Sequence, residues 1–173
     1  SIEVVGDFLE RRLIDAYIPF HTGDPFDVSL VARLRRNLAD SGYFGRTVVL
    51  ADSDAAVDQA VPIRIELYPR ARDWTYSFGV GYATDTGARI RVDADNNLVN
   101  PRGHRASVKS VLSTERTSLD MQYRIPHRDP LNDWFIFDAG LAHLESNTST
   151  SDIQRVGARH SYERGAWIET DFV

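Results

Sequence analysis

The stretch WTYSFGVGYATDTGARIRVDADN, Trp74 to Asn96, has a period of two. Trp74, Tyr76, Phe78, Val80 and Tyr82 alternate with Thr75, Ser77, Gly79 and Gly81. After ATDTG the alternation resumes, with Ala88, Ile90, Val92 and Ala94 set against Arg89, Arg91 and Asp93. Successive side chains of a strand point to opposite faces, so the pattern predicts two strands joined by a turn. Each has one apolar side and one side of glycines, hydroxyls and charges. What the apolar side faces decides the fold.

From Ala71 onward there is no helical period. Further strands are expected near Arg105 to Leu112, Ser118 to Ile125, Trp134 to Leu144, Asp152 to Tyr162 and Ala166 to Val173, which makes about seven in all. NPRGH, STER, PHRDPLN, ESNTSTSD and ERG supply the turns between them. The acceptor pattern at Asn147 reads as an exposed loop. Strict alternation places Ile90, Val92, Leu119, Met121, Tyr123, Ile125, Phe135, Phe137 and Leu141 on the face of Trp74 and Tyr76. Arg89, Arg91, Asp93, Ser118, Asp120, Gln122, Arg124, Asp138 and Gly140 join Ser77 on the other. A soluble sandwich and a membrane barrel both divide their strands in this way. Aromatic residues toward strand ends (Trp74, Tyr82, Trp134, Phe135, Tyr162) suit interfacial girdles, and charges in mid-strand such as Arg91, Asp120 and Arg124 suit a wet lumen.

The first seventy residues mix periods. Ile2, Val4 and Val5 form a short apolar segment, and Asp7 with Glu10 has the spacing of a capping box for a helix that carries Leu9, Leu13 and Ile14 and ends before Pro19. A second helix is expected after Asp27, with Val28, Val31, Leu34 and Leu38 on one stripe, Arg33, Arg35, Arg36 and Asn37 opposite, and Gly42 as its C-cap. RTVVLA and VPIRIELYP read as strands, the latter alternating Ile63, Ile65 and Leu67 with Arg64 and Glu66. The order is strand, helix, helix, strand, strand.

The chain has 173 residues and a net charge of −5, with 19 arginines among its 20 basic residues. An acidic balance argues against a general phosphate-binding surface, so nucleic acid is not an expected partner. There is no cysteine, hence no disulfide and no thiolate chemistry. No apolar run approaches the roughly 18 to 20 residues of a spanning helix, whereas a barrel strand needs only about 9 to 11 alternating residues. The five histidines, His21, His104, His127, His143 and His160, include no pair at helical ligand spacing, so no metal is expected. Asp93, Asp95 and Asn97 begin like a calcium loop but lack its glycine and closing glutamate; a strand end running into a turn accounts for them. Gly79 and Gly81 have no third glycine and no following helix, which excludes a dinucleotide site. No nucleophile elbow accompanies the serines, so no enzyme activity and no cofactor are expected. The first residues read as a processed chain or an excised fragment.

LIDAYIPFHTGDPFDVSLVARLRRNLADSGYFGRTVV, with its GDPF entry to a helix and its GYF exit to a strand, resembles a POTRA domain. YSFGVGYATDTGARIRV, LVNPRGH and QYRIPHRDPLNDW resemble the opening barrel strands of the TamA family, within the BamA/TamA superfamily. The two likenesses occur in the family's order and together cover nearly the whole chain. They imply an α+β POTRA domain of β-α-α-β-β order over residues 1–70, followed over 71–173 by the N-terminal antiparallel strands of an incomplete outer-membrane β-barrel. The implied function is insertion or translocation of β-barrel proteins and autotransporters, with the POTRA domain in the periplasm. Implied partners are outer-membrane lipid, client β-barrel or autotransporter chains, and an inner-membrane-anchored TamB-like protein reached through the POTRA region. Earlier POTRA domains and later barrel strands are expected outside these residues.

Client pairing is then expected at the first barrel strand, through Trp74, Tyr76, Ser77, Phe78, Gly79, Val80, Gly81 and Tyr82, because an unpaired edge offers N–H and C=O groups to an incoming strand. The glycines either ease close backbone approach or make room on the lumenal face. Arg33, Arg35 and Arg36 form either a partner face or a solvated one. A two-partner secretion pore and a soluble periplasmic β-rich binding module are the alternatives.

Overall fold

The computed structural model describes residues 2–6, 8–52, 61–71, 74–84, 87–146, 148–164 and 167–172. Asp7 and Asn147 lie outside them. The chain divides into two compact units: Ser1–Ala71 with Asn100–Gly103 and Arg128–Leu131, and Arg72–Val99 with His104–His127 and Asn132–Val173.

The first unit runs β1 (Ile2–Val5), α1 (Arg11–Asp15), α2 (Val28–Asp40), β2 (Phe44–Ala51) and β3 (Ile63–Pro69). Its sheet has the order β1-β3-β2, with β1 parallel and β2 antiparallel to β3. A parallel pair needs a long crossover, and the two helices with β2 supply it. Period-two burial on β3 turns Ile63, Ile65 and Leu67 inward, while Arg64 stays outside beside Glu66 at 3.0 Å and Glu3 at 3.8 Å. Val31, Leu34 and Leu38 of α2 are buried; Leu34 and Leu38 are wholly inaccessible, as is Ile65. Tyr17 and Tyr43 complete this core edge to face, their ring centroids 6.2 Å apart.

Three local details differ from the sequence pattern. The first helix begins at Arg11, with Glu10 at the N-cap and no side-chain cap, so Leu9 precedes the helix although it is buried. Val28 is 69% exposed because it occupies the first helical position, before the buried stripe begins at Val31. The last cap is Ser41, and Gly42 follows it at φ +70°, the left-handed position that stops a helix at least cost when it is glycine.

The second unit is one antiparallel sheet of seven strands: β4 (Trp74–Ala83), β5 (Gly87–Asn96), β6 (Arg105–Ser113), β7 (Arg116–Pro126), β8 (Asp133–Ser146), β9 (Ser149–Arg164) and β10 (Trp167–Phe172). Their spatial order is β10-β9-β8-β7-β6-β5-β4, so among the described residues each strand pairs with its neighbours in the chain. Short turns and strict period-two patterning specify such a meander.

Candidate functional site, an edge strand between an apolar and a charged face

Register fixes the two faces of the sheet. Phe78 lies opposite Val92, Val92 opposite Ser110, Ser110 opposite Leu119 and Leu119 opposite Leu141. Val80, Ile90 and Leu112 form a second row, and Tyr123 and Phe137 pair directly. On β4 this face is open: Tyr76, Phe78, Val80 and Tyr82 are 72%, 71%, 72% and 78% exposed. Phe137, Leu141 and Met121 are exposed as well. Among the described residues these side chains are not packed between two layers, as the inner face of a sandwich would be.

Rows on the opposite face are polar. One runs Ser77, Asp93, Lys109, Asp120, Gly140, Arg155 across six strands. Arg91 holds Asp93 through Nε at 2.8 Å. Arg155 Nη2 donates to Asp120 Oδ1 at 2.9 Å, and Arg159 Nη1 donates to Asp138 Oδ1 at 2.5 Å. Two glycines make the space for these pairs. A Cβ on Gly140 would sit 2.8 Å from Asp120 Oδ1, and one on Gly157 would sit 2.8 Å from Asp138 Oδ2. The alternation pattern already contained Asp120, Asp138 and Gly140, but not their partners. Arg155 and Arg159 come into range only through the register of β8 with β9, which no sequence period states.

Trp134 corrects the girdle reading. Its register partners are Pro126 and Ser161, which put it on the charged face, where it is buried with two guanidinium groups against its ring. Arg105 stands 4.6 Å and Arg124 5.0 Å from its ring centroid. Charge attracted to the ring quadrupole keeps an indole on a polar surface. Trp74 stacks on Tyr76, and His104 Nδ1 meets Tyr123 Oη at 2.8 Å on the apolar face.

β4 is an edge strand: it pairs with β5 along Trp74–Ala83 and with no other described strand. All eight residues expected to pair with a client, Trp74, Tyr76, Ser77, Phe78, Gly79, Val80, Gly81 and Tyr82, lie on it. Neither glycine there relieves crowding among the described residues. A Cβ at Gly81 would meet nothing within 4 Å, and one at Gly79 only the Cβ of Arg91 at 3.9 Å. Gly140 and Gly157 make room; Gly79 and Gly81 leave space.

On α2, Arg33, Arg35 and Arg36 are all exposed, and Arg35 Nη2 donates to the carbonyl of Val49 at 2.7 Å, which ties the helix to β2. Asp27 caps this helix by accepting the Ser29 N–H at 2.7 Å. Hydrogen bonds from Ser29, from its side chain and then its backbone, hold the Asp27 carboxyl below the ordinary carboxylate range. Among the described residues no group of three or more His, Asp or Glu side chains could hold a metal ion.

No family model matches the sequence. Two solved structures have similar folds. The crystal structure of BamA from Haemophilus ducreyi lacking POTRA domains 1–3 superposes with a TM-score of 0.73 at 15% identity, over 92% of this chain and 31% of that one. CdiB from Acinetobacter baumannii gives 0.61 at 11% identity, over 92% and 31%. The chain thus spans about a third of the length of either of those chains, and its fold is that of the matching part of these BamA and CdiB structures.

Proposed function

We propose that the chain is a POTRA-type domain followed by the opening strands of an outer-membrane barrel, and that it acts as a non-enzymatic assembly factor of the TamA type. The observation that carries this reading is β4, an edge strand with an open aromatic face on one side and small residues on the other. Its free N–H and C=O groups are a template for one more strand. The aromatic face meets lipid, and the charged face lines a wet lumen. Clients are β-barrel or autotransporter chains, whose terminal strand pairs with Trp74 to Tyr82. Unit order supports the domain reading: β1, α1, α2, β2 and β3 follow the strand-helix-helix-strand-strand sequence of a POTRA domain. That domain extends into the periplasm, where Arg33 and Arg36 offer cations to a TamB-like partner. Neither nucleic acid nor a cofactor enters the mechanism.

The test is disulfide crosslinking in the full-length protein, in native outer membranes, between a cysteine at Ser77 and one in the client's terminal strand. A crosslink from position 77, and none from Ser107→Cys on the interior strand β6, is the expected result. Client insertion at a normal rate with no crosslink from β4 overturns the mechanism. The likeness to CdiB supports secretion as a second reading. It predicts crosslinks to a substrate that passes through without being inserted.

A further inference from the structure

The charged face holds a three-strand arrangement that recurs, incomplete, at the free edge. Asp120 on β7, Gly140 on β8 and Arg155 on β9 are successive register partners. The carboxylate reaches over the glycine to the guanidinium two strands away, 2.9 Å from Oδ1 to Nη2. A Cβ on Gly140 would stand 2.8 Å from that oxygen and 3.3 Å from that nitrogen, so the bridge needs glycine in its middle position.

At the edge, Gly81 on β4 is the register partner of Arg89 on β5, and Gly79 is the partner of Arg91. These are the middle and basic members of the same arrangement, with the acidic member missing. Arg89 is exposed and has no ion-pair partner among the described residues, and Arg91 engages Asp93 through Nε alone. The space above Gly81 is empty within 4 Å. A strand added to the free side of β4 stands about 4.8 Å from it, as each neighbour in a sheet does, so its inward side chains meet Arg89 and Arg91 over the glycines as Asp120 meets Arg155 over Gly140.

We infer that β4 selects strands bearing Asp or Glu at the inward-facing position opposite Gly81, with Arg89 as the residue that reads the carboxylate and Gly79 with Arg91 as a second, weaker reader. The inference rests on the strand-pairing reading of β4 and adds a specificity to it. Other anions would not meet the same requirement: a free phosphate or a lipid headgroup has no backbone to place its charge in register with Gly81.

The experiment uses the full-length protein carrying Ser77→Cys and synthetic ten-residue alternating peptides with one cysteine and Asp, Asn or Lys at the position opposite Gly81. Crosslinking yield reads capture. The Asp peptide should be captured about two- to fivefold better than the Asn peptide, in keeping with a partly screened charge pair. Arg89→Glu should reverse the order of Asp and Lys, and Gly81→Val should erase the preference for the Asp peptide over the Asn peptide. Inorganic phosphate should leave the Asp preference intact. Equal capture of Asp and Asn peptides overturns the specificity and leaves strand pairing standing. Preference that survives in Arg89→Gln overturns the role of Arg89. Capture of no peptide at all overturns both readings.

Discussion

Asp120 and Arg155 lie on strands that do not touch each other, yet their side chains meet at 2.9 Å because the residue between them is Gly140. Alanine at 140 would bring a methyl group to 2.8 Å from the carboxylate oxygen. The carboxylate must then swing away, and the pair is lost. Both side chains are partly exposed, so the pair itself contributes about 0.2 to 1 kcal/mol. Gly140→Ala should therefore lower the stability of the folded full-length protein by that amount in wild type. It should have no cost, or a slight gain, in an Asp120→Ala background, where the collision is gone and alanine restrains the unfolded chain more than glycine does. Equal losses in both backgrounds, read from urea unfolding in detergent, would show that Gly140 is there for another reason.

Much of this sheet was legible in the period of two. Trp74 to Tyr82 declared both its faces, and the strands around Met121 and Phe137 followed because turn residues punctuate them. Period alone could not say what the apolar face meets, since sandwich and barrel share it; that Tyr76 and Phe78 stand exposed among the described residues came only with the structure. Trp134 misled because aromatic identity says nothing about direction, and its side follows from register with Pro126 and Ser161. The ion pairs were illegible for the same reason: Asp138 and Arg159 are 21 positions apart and meet only once β8 and β9 are aligned. In the first unit the long helix was plain from Val31, Leu34 and Leu38, whereas a five-residue helix has too little period to fix its own start.

Leu34 has no accessible surface, and Val28, at the first position of the same helix, is mostly exposed. Leu34→Ala removes buried methyl groups and leaves a cavity, which should cost about 2 to 5 kcal/mol. Val28→Ala should fall within about 0.5 kcal/mol of wild type. Chemical unfolding of the full chain, followed by far-UV circular dichroism, gives the comparison. Similar losses for the two variants would contradict the packing of α2 described above.

Acid should loosen the start of α2. The folded Asp27 carboxyl titrates below its ordinary value because Ser29 donates to its charged form. A depressed folded pKa stabilises the cap above the unfolded value, and that support is lost as pH falls through the folded one. The Ser29 amide resonance should thus move on acidification below about pH 4. Asp27→Asn accepts the same hydrogen bond without titrating, so its Ser29 resonance should hold steady over that range. A shift of the same size in both proteins would assign the transition to another group.

Ser77 and Phe78 are adjacent in sequence and point to opposite faces of β4, so the same substitution at each tests which face meets lipid. An arginine near the middle of a lipid-facing strand costs about 2 to 4 kcal/mol, whereas a lumen-facing position leaves it hydrated. Phe78 is 71% exposed, so replacing it sacrifices little packing within the sheet, and a loss on substitution reports the surroundings instead. Phe78→Arg should therefore weaken urea-titrated folding of the full-length protein into phospholipid vesicles by roughly that amount, and Ser77→Arg should change it little. The dependence on lipid is part of the expectation: bilayers with a thicker hydrocarbon core should widen the gap between the two variants, because arginine at position 78 then has farther to reach to an interface. Equal tolerance of arginine at 77 and 78 in vesicles would mean that the aromatic face of β4 does not meet hydrocarbon, and the lipid-facing assignment of Tyr76, Phe78 and Val80 would fall with it.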